Sequence, residues 1–136
     1  MVQTGRDGAL TFDAGVNGDG VDSILATLAR DKVAGSFFLT GDLVDRYPKL
    51  ARRMSAMGAL GNHTTNHRHL PAMTDAQVLR QITGARTTIL GVTGEDPRPL
   101  FRFPFGDSSP HDLELVSTLG YVTIGWTVDS LDTLVP

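Results

Sequence analysis

An α/β fold, a parallel sheet covered by helices, is what this sequence predicts, and three observations predict it. Segments that read as strands alternate with segments that read as helices along the whole chain. The strand segments are apolar runs, as strands buried on both faces are, and not two-faced ones. The polar residues that stand out fall at strand ends: Asp13, His63, Arg102 and Asp129. In parallel α/β folds that is where active sites lie.

Ala9-Leu10-Thr11-Phe12 is short, apolar and partly β-branched, and reads as a strand ending at Asp13. A glycine-rich loop with Asn17 and Asp19 follows. Val21 to Asp31 has helical spacing, with Ile24, Leu25, Leu28 and Ala29 on one side and Asp19 or Asp22 as the cap. Val33 to Leu39 is a second strand, closed by Thr40-Gly41. Asp42 to Met57 is helical, with Leu43, Tyr47, Leu50, Ala51 and Met54 on its apolar face. Pro48 inside it predicts a kink or two short helices. Gly58 to Gly61 is a brief third strand leading to the histidines. Arg68 to Thr74 is a linker. Thr74 or Asp75 caps a helix to about Leu90, which Gly84 weakens locally. Gly91 to Pro99 reads as a polar turn and Leu100 to Phe103 as a fourth strand. A short helix from Pro110 to Leu119 and a fifth strand, Tyr121 to Ile124, complete the pattern.

The bulk properties narrow the function. The chain has 136 residues, 40% hydrophobic and 20% charged, which fits one globular domain. A net charge of -3 and the lack of any basic block argue against nucleic acid as partner. There is no cysteine, so disulfides, thiolate ligands and a cysteine nucleophile are out. No run approaches the roughly 18 apolar residues of a membrane span. The N-terminus, Met1-Val2-Gln3-Thr4-Gly5, is polar and is not a signal peptide. Arg52, Arg53 and Arg68 read as solvated charge, and His69 and His111 receive no role.

Chemistry concentrates in Gly61-Asn62-His63-Thr64-Thr65-Asn66-His67. In a helix, a spacing of four would put both imidazoles on one face. Imidazole is a common ligand for zinc and similar ions. Two such ligands do not complete a site, and the carboxylates near Asp13 and Asp129 are the candidates to converge on them.

Four segments, in order and at strand ends, carry a family likeness: Thr11-Phe12-Asp13-Ala14, His63-Thr64-Thr65-Asn66-His67, Arg102-Phe103-Pro104-Phe105-Gly106 and Asp129-Ser130-Leu131-Asp132. With them the chain resembles the polysaccharide deacetylases of the NodB homology type, metal-dependent hydrolases that remove acetyl groups from N-acetylated sugars. The likeness spans roughly residues 8 to 136. It implies a distorted, incomplete (β/α) barrel, here truncated before closure, with residues 1–136 as part of the catalytic domain. It also implies a divalent metal, zinc first and cobalt second, and an N-acetylated glycan as partner. A secreted or cell-envelope location is expected from the same likeness.

Residue by residue, the resemblance makes His63 and His67 metal ligands and Asp13 the general base, with Arg102 paired to it. Asp129 and Asp132 belong to the fourth motif, where an aspartate orients a later histidine. Phe103, Pro104, Phe105 and Trp126 are candidates to line the sugar groove, one of the two phenylalanines packing inward. Three departures matter. Ala14 stands where the family has a second aspartate that ligates the metal, and Asn17, Asp19, additional water or Asp13 itself could fill the gap. Thr133 stands where the fourth motif has Trp, and the Leu-x-His motif bearing the proposed general acid does not occur before Pro136. The 136 residues alone are therefore expected to deacetylate poorly and to self-associate through unclosed barrel edges. Two other readings remain open: a catalytically impaired carbohydrate-binding or structural module of the same fold, and an amidohydrolase acting on a small non-sugar amide.

Overall fold

Five strands lie side by side in chain order, and every neighbouring pair is parallel. They are β1 (Leu10–Ala14), β2 (Gly35–Leu39), β3 (Gly58–Asn62), β4 (Leu100–Phe101) and β5 (Val122–Thr123). Between them run α1 (Val21–Asp31), α2 (Gly41–Arg46), α3 (Pro48–Met57), α4 (Asp75–Thr93) and α5 (Pro110–Thr118). The computed structural model describes residues 8–132. Thr133, the end at Pro136 and the N-terminal stretch Met1 to Gly5 lie outside the described residues.

The register explains why the site forms where it does. Ala14 pairs with Leu39, Leu39 with Asn62, Asn62 with Phe101 and Phe101 with Thr123. The next residue on each strand therefore falls in one row: Gly15, Thr40, His63, Arg102 and Ile124. In a flat sheet β1 and β4 would stand about 14 Å apart, three strand spacings. Yet Arg102, one residue past β4, hydrogen-bonds Thr11 and Asp13 on β1. The sheet is strongly curled, as a barrel wall is, and its carboxyl ends converge.

Two apolar clusters hold the layers together. One joins α1, α2 and α3 to β2 and β3 through Leu25, Leu28, Phe37, Leu39, Val44 and Met54. The other sits beneath α4 and α5, with Val78, Ile82, Phe101, Phe103, Val116 and Tyr121. Pro48 divides the second helical stretch as expected: α2 stops at Arg46 and α3 restarts with proline in its first turn, where the missing N–H costs nothing. α1 has its expected bounds, but neither Asp19 nor Asp22 caps it. Gly20 does, with φ 78 and no side-chain bond, while Asp22 pairs with Arg53. Its buried positions are Val21, Leu25 and Leu28, and Ala29 is exposed.

Other segments differ from expectation for physical reasons. α4 continues through Gly84 to Thr93, under a capping box of Thr74 and Gln77, and ends in a left-handed Gly94. Leu70–Ala72 in the linker forms a 3-10 turn. β4 and β5 have two residues each, and one backbone bond extends each of them, Arg102 N to Asn62 O and Ile124 N to Phe101 O. The strands are not uniformly buried either: Leu10 on β1 and Val122 on β5 are exposed, as befits the sheet's two edges.

His111 of α5 bonds Asp75 at the start of α4 at 2.9 Å, and that hydrogen bond is the main cause raising its pKa. A folded pKa above the unfolded one stabilises below the unfolded value, and the gain is lost as pH rises through the folded value. The difference in Tm between wild type and His111→Asn should therefore be largest near pH 5 and vanish by about pH 9. A pH-independent difference would show that the pair contributes nothing through charge.

Candidate active site

His63 opens the site because β3 delivers it. Its N–H donates to Leu39 O at 3.0 Å, extending the ladder by one residue, and its ring is 1% exposed. Nδ1 stands 2.8 Å from Arg102 O. A carbonyl can only accept, so Nδ1 carries the proton and Nε2 keeps its lone pair. That Nε2 is buried and has no hydrogen-bond partner among the described residues. An unpaired buried acceptor is costly, and in native sites it commonly marks a place for an ion or water.

His67 does not reach His63 along a helix. The segment between them is a turn in which Thr64 (φ 72) and His67 (φ 57) adopt left-handed backbone. The rings nevertheless meet edge to face, centroids 4.8 Å apart. Asn62, fully buried, anchors the turn: its Oδ1 accepts from Thr64 N, and its Nδ2 donates to Ile82 O and Tyr121 Oη. Gly15 lets the ring of His67 lie against β1, since a Cβ there would stand 3.2 Å from His67 Cδ2.

Burial is the first cause lowering the pKa of both imidazoles, and Asp13 pulls each the other way. Both rings are thus held toward the neutral form, the form that ligates metals. Asp13 Oδ2 lies 3.8 Å from His63 Nε2, too far for a hydrogen bond, so the carboxylate faces the free nitrogen across a gap.

Arg102 fixes that carboxylate. Its Nη1 donates to Asp13 Oδ1 at 2.7 Å and to Thr11 Oγ1 at 3.0 Å. Nε donates to Ile124 O and Nη2 to Gly125 O, and the guanidinium lies 4.2 Å from the Phe38 ring centroid. Trp126 covers it from the other side at 5.4 Å while remaining 45% exposed.

Thus Asp13, His63, His67 and Arg102 come together, with Trp126 beside them. Other expected site residues do not. Phe103 is 3% exposed and packs edge on Phe101, and Pro104 is buried, so neither offers a face to a sugar. Phe105 turns outward through φ 62 and is 59% exposed, its edge on His67 and its face on His69. Asn17 spends its Oδ1 on Asp19 N, and both residues are exposed. Among the described residues no group of three His, Cys, Asp or Glu side chains is placed to hold a metal, so Asp19 does not replace the ligand that Ala14 lacks. Asp129 and Asp132 are exposed and, among the described residues, bond only locally, to Leu131 N and Ser130 Oγ.

Sequence reasoning missed three contributors. Gln81 and Tyr121 bond the histidine turn or its anchor from far along the chain, and nothing in the sequence links them to it. His69 pairs with Asp107 at 2.9 Å and stacks on Phe105 at 4.0 Å, at the mouth of the site. Its nearness to His67 in sequence was the one available signal.

The donor chemistry suits a divalent ion as far as two neutral imidazoles go, one with a buried, unpartnered lone pair. The third protein ligand usual for a catalytic zinc site is absent from the described residues.

Residues 3–124 match the polysaccharide deacetylase family. The chain is 33% identical over 124 residues to a peptidoglycan-N-acetylmuramic acid deacetylase of Bacillus subtilis, covering 90% of this chain and 47% of that protein. It is 34% identical to a chitooligosaccharide deacetylase of Sinorhizobium fredii, covering 90% and 58%. A family 4 carbohydrate esterase from Streptomyces lividans, solved with acetate, superimposes with a TM-score of 0.86 at 28% identity, over 93% of this chain and 65% of that one. The chain spans about half the length of the curated relatives it matches.

Proposed function

The chain belongs to the polysaccharide deacetylase family, and from that membership we propose that it forms the part of a hydrolase that removes N-acetyl groups from an N-acetylglucosamine-type polysaccharide, peptidoglycan or chitin-like. The observation that carries the reading is the unpartnered Nε2 of His63, buried beside His67 and facing Asp13. His63 and His67 would hold a divalent ion, zinc or cobalt, with water completing the set. Such an ion acidifies water and polarises the acetyl carbonyl.

The chain's own residues account for the rest. Asp13 takes the proton of the attacking water, because its carboxylate is held at the gap in front of His63. Arg102 orients Asp13 by donating Nη1 to its Oδ1, which leaves Oδ2 on the side of His63. The amide C–N bond then breaks to give acetate and a free amine, which takes up a proton. Trp126 and Phe105 present exposed aromatic faces beside this centre, suited to a sugar ring. The proposed location is outside the cell or in its envelope, where such polymers are. The exposed edges β1 and β5 are where copies would self-associate.

A second reading, the same fold with impaired catalysis, is favoured by Ala14. One experiment separates them. Metal content is measured for wild type and for a His63→Ala, His67→Ala double variant, together with acetate release from a chitin oligomer and from peptidoglycan with added zinc or cobalt. Bound metal in the wild type, its loss in the variant, and an acetate release that is weak in the wild type and lower still in the variant are expected. Equal metal content in the two proteins sinks the assignment; bound metal without acetate release supports the impaired reading.

A further inference from the structure

The turn that brings the imidazoles together is not self-supporting. Two of its non-glycine residues, Thr64 and His67, hold left-handed backbone. Such conformations persist only where the surroundings over-determine them. Two backbone bonds come from the start of α2: Gly41 N to Thr64 O at 3.0 Å and Asp42 N to Thr65 O at 2.9 Å. The opposite side is held by one residue of α4. Gln81 Oε1 accepts from Thr65 N at 3.1 Å and from Asn66 N at 3.2 Å, and its backbone carbonyl accepts from Thr65 Oγ1 at 2.9 Å. Among the described residues no other side chain outside 62–67 bonds residues 63–67; Tyr121 Oη reaches only the anchor, Asn62. Gly84, one turn further on α4, permits the approach: a Cβ there would stand 3.1 Å from Thr65 Oγ1.

We propose that Gln81 is a positioning residue, whose side-chain oxygen gathers two successive N–H groups and thereby sets the ring of His67 against that of His63. The role rests on the reading of these histidines as a metal pair only for its purpose; the geometry stands without it. A carboxamide suits the task. It offers a two-lone-pair acceptor without placing a second negative charge beside the imidazoles. Methionine has similar length and no comparable acceptor, whereas glutamate keeps the acceptor and adds charge.

The test uses NMR on the metal-free protein and cobalt titration. In the wild type the Thr65 and Asn66 amides should be protected from exchange, and the ring protons of His63 and His67 should show a mutual NOE. Gln81→Met should lose the protection and the NOE and bind cobalt about 10- to 100-fold more weakly. Gln81→Glu should restore the NOE and most of the affinity. An unchanged NOE in Gln81→Met, or equal loss in Gln81→Glu, overturns the proposal. Should Gln81→Met not fold, rapid exchange of the two amides in the wild type overturns it alone. A wild type that binds no cobalt, with an NOE that still depends on Gln81, removes the metal reading and leaves the positioning role in place.

Discussion

Replacing Ala14 with aspartate is expected to tighten cobalt or zinc binding by about 100-fold or more, the gain from a third, anionic ligand on two imidazoles. Ala14 closes β1 and is 8% exposed. Ala14 packs in the apolar cluster with Val21, Leu25 and Leu39, and the next residue, Gly15, is in close contact with the His67 ring, which brings the backbone at position 14 near the pair. Without an ion the new carboxylate would be buried and short of partners, at a cost of about 1–3 kcal/mol. With the ion at about 100 times its Kd, linkage returns about 2.7 kcal/mol. The variant should therefore melt below the wild type in chelator and recover or exceed it in cobalt. Ala14→Asn, similar in shape but uncharged, should gain much less. Titration calorimetry reads the affinities. Equal affinity in wild type and Ala14→Asp would mean that this position does not face the ion, and the two-imidazole site would need another explanation.

The fold was legible where local rules act alone. α1 follows from apolar spacing, the break between α2 and α3 from Pro48, and the start of α4 from the cap at Thr74. The short β4 and β5 were not: Phe103 is strand-like but lies beyond β4, and Ile124 adds one backbone bond, to Phe101 O, before its own carbonyl turns to Arg102. The site shows the same division. Asp13, His63, His67 and Arg102 could be named because they stand at strand ends, but how the imidazoles meet could not. A spacing of four suggests a helix, and a turn with two positive φ angles delivers the same contact. Phe103 and Phe105 alternate with Arg102 and Pro104, which in a strand would put both rings on one face; the left-handed φ of Phe105 breaks that pattern and turns it outward. Asn17 and Asp19 were named from closeness in sequence to Ala14. The Asx bond between them and the exposure of both residues leave neither beside the imidazoles.

Arg102→Met is expected to destabilise the fold by about 3 kcal/mol and to lower kcat/KM at least about 100-fold. Only 3% of Arg102 is exposed, yet its guanidinium meets acceptors from two ends of the sheet: Thr11 and Asp13 on β1, Ile124 O and Gly125 O past β5. Methionine fills similar volume and leaves these acceptors unmet. Water can reach Asp13, whose side chain is 38% exposed, so the larger share of the cost falls on the two carbonyls. Catalysis suffers separately, because Asp13 loses the bond that aims it at the gap before His63. Arg102→Lys should recover little: one ammonium cannot span four acceptors, and it forfeits the flat contact with Phe38. Denaturant melts and steady-state kinetics on both variants distinguish the two effects. A variant that keeps stability but loses turnover would assign Arg102 to aiming Asp13 alone. One that loses stability and keeps turnover per folded molecule would remove Asp13 as the base, since a base that works unaimed needs no such clamp.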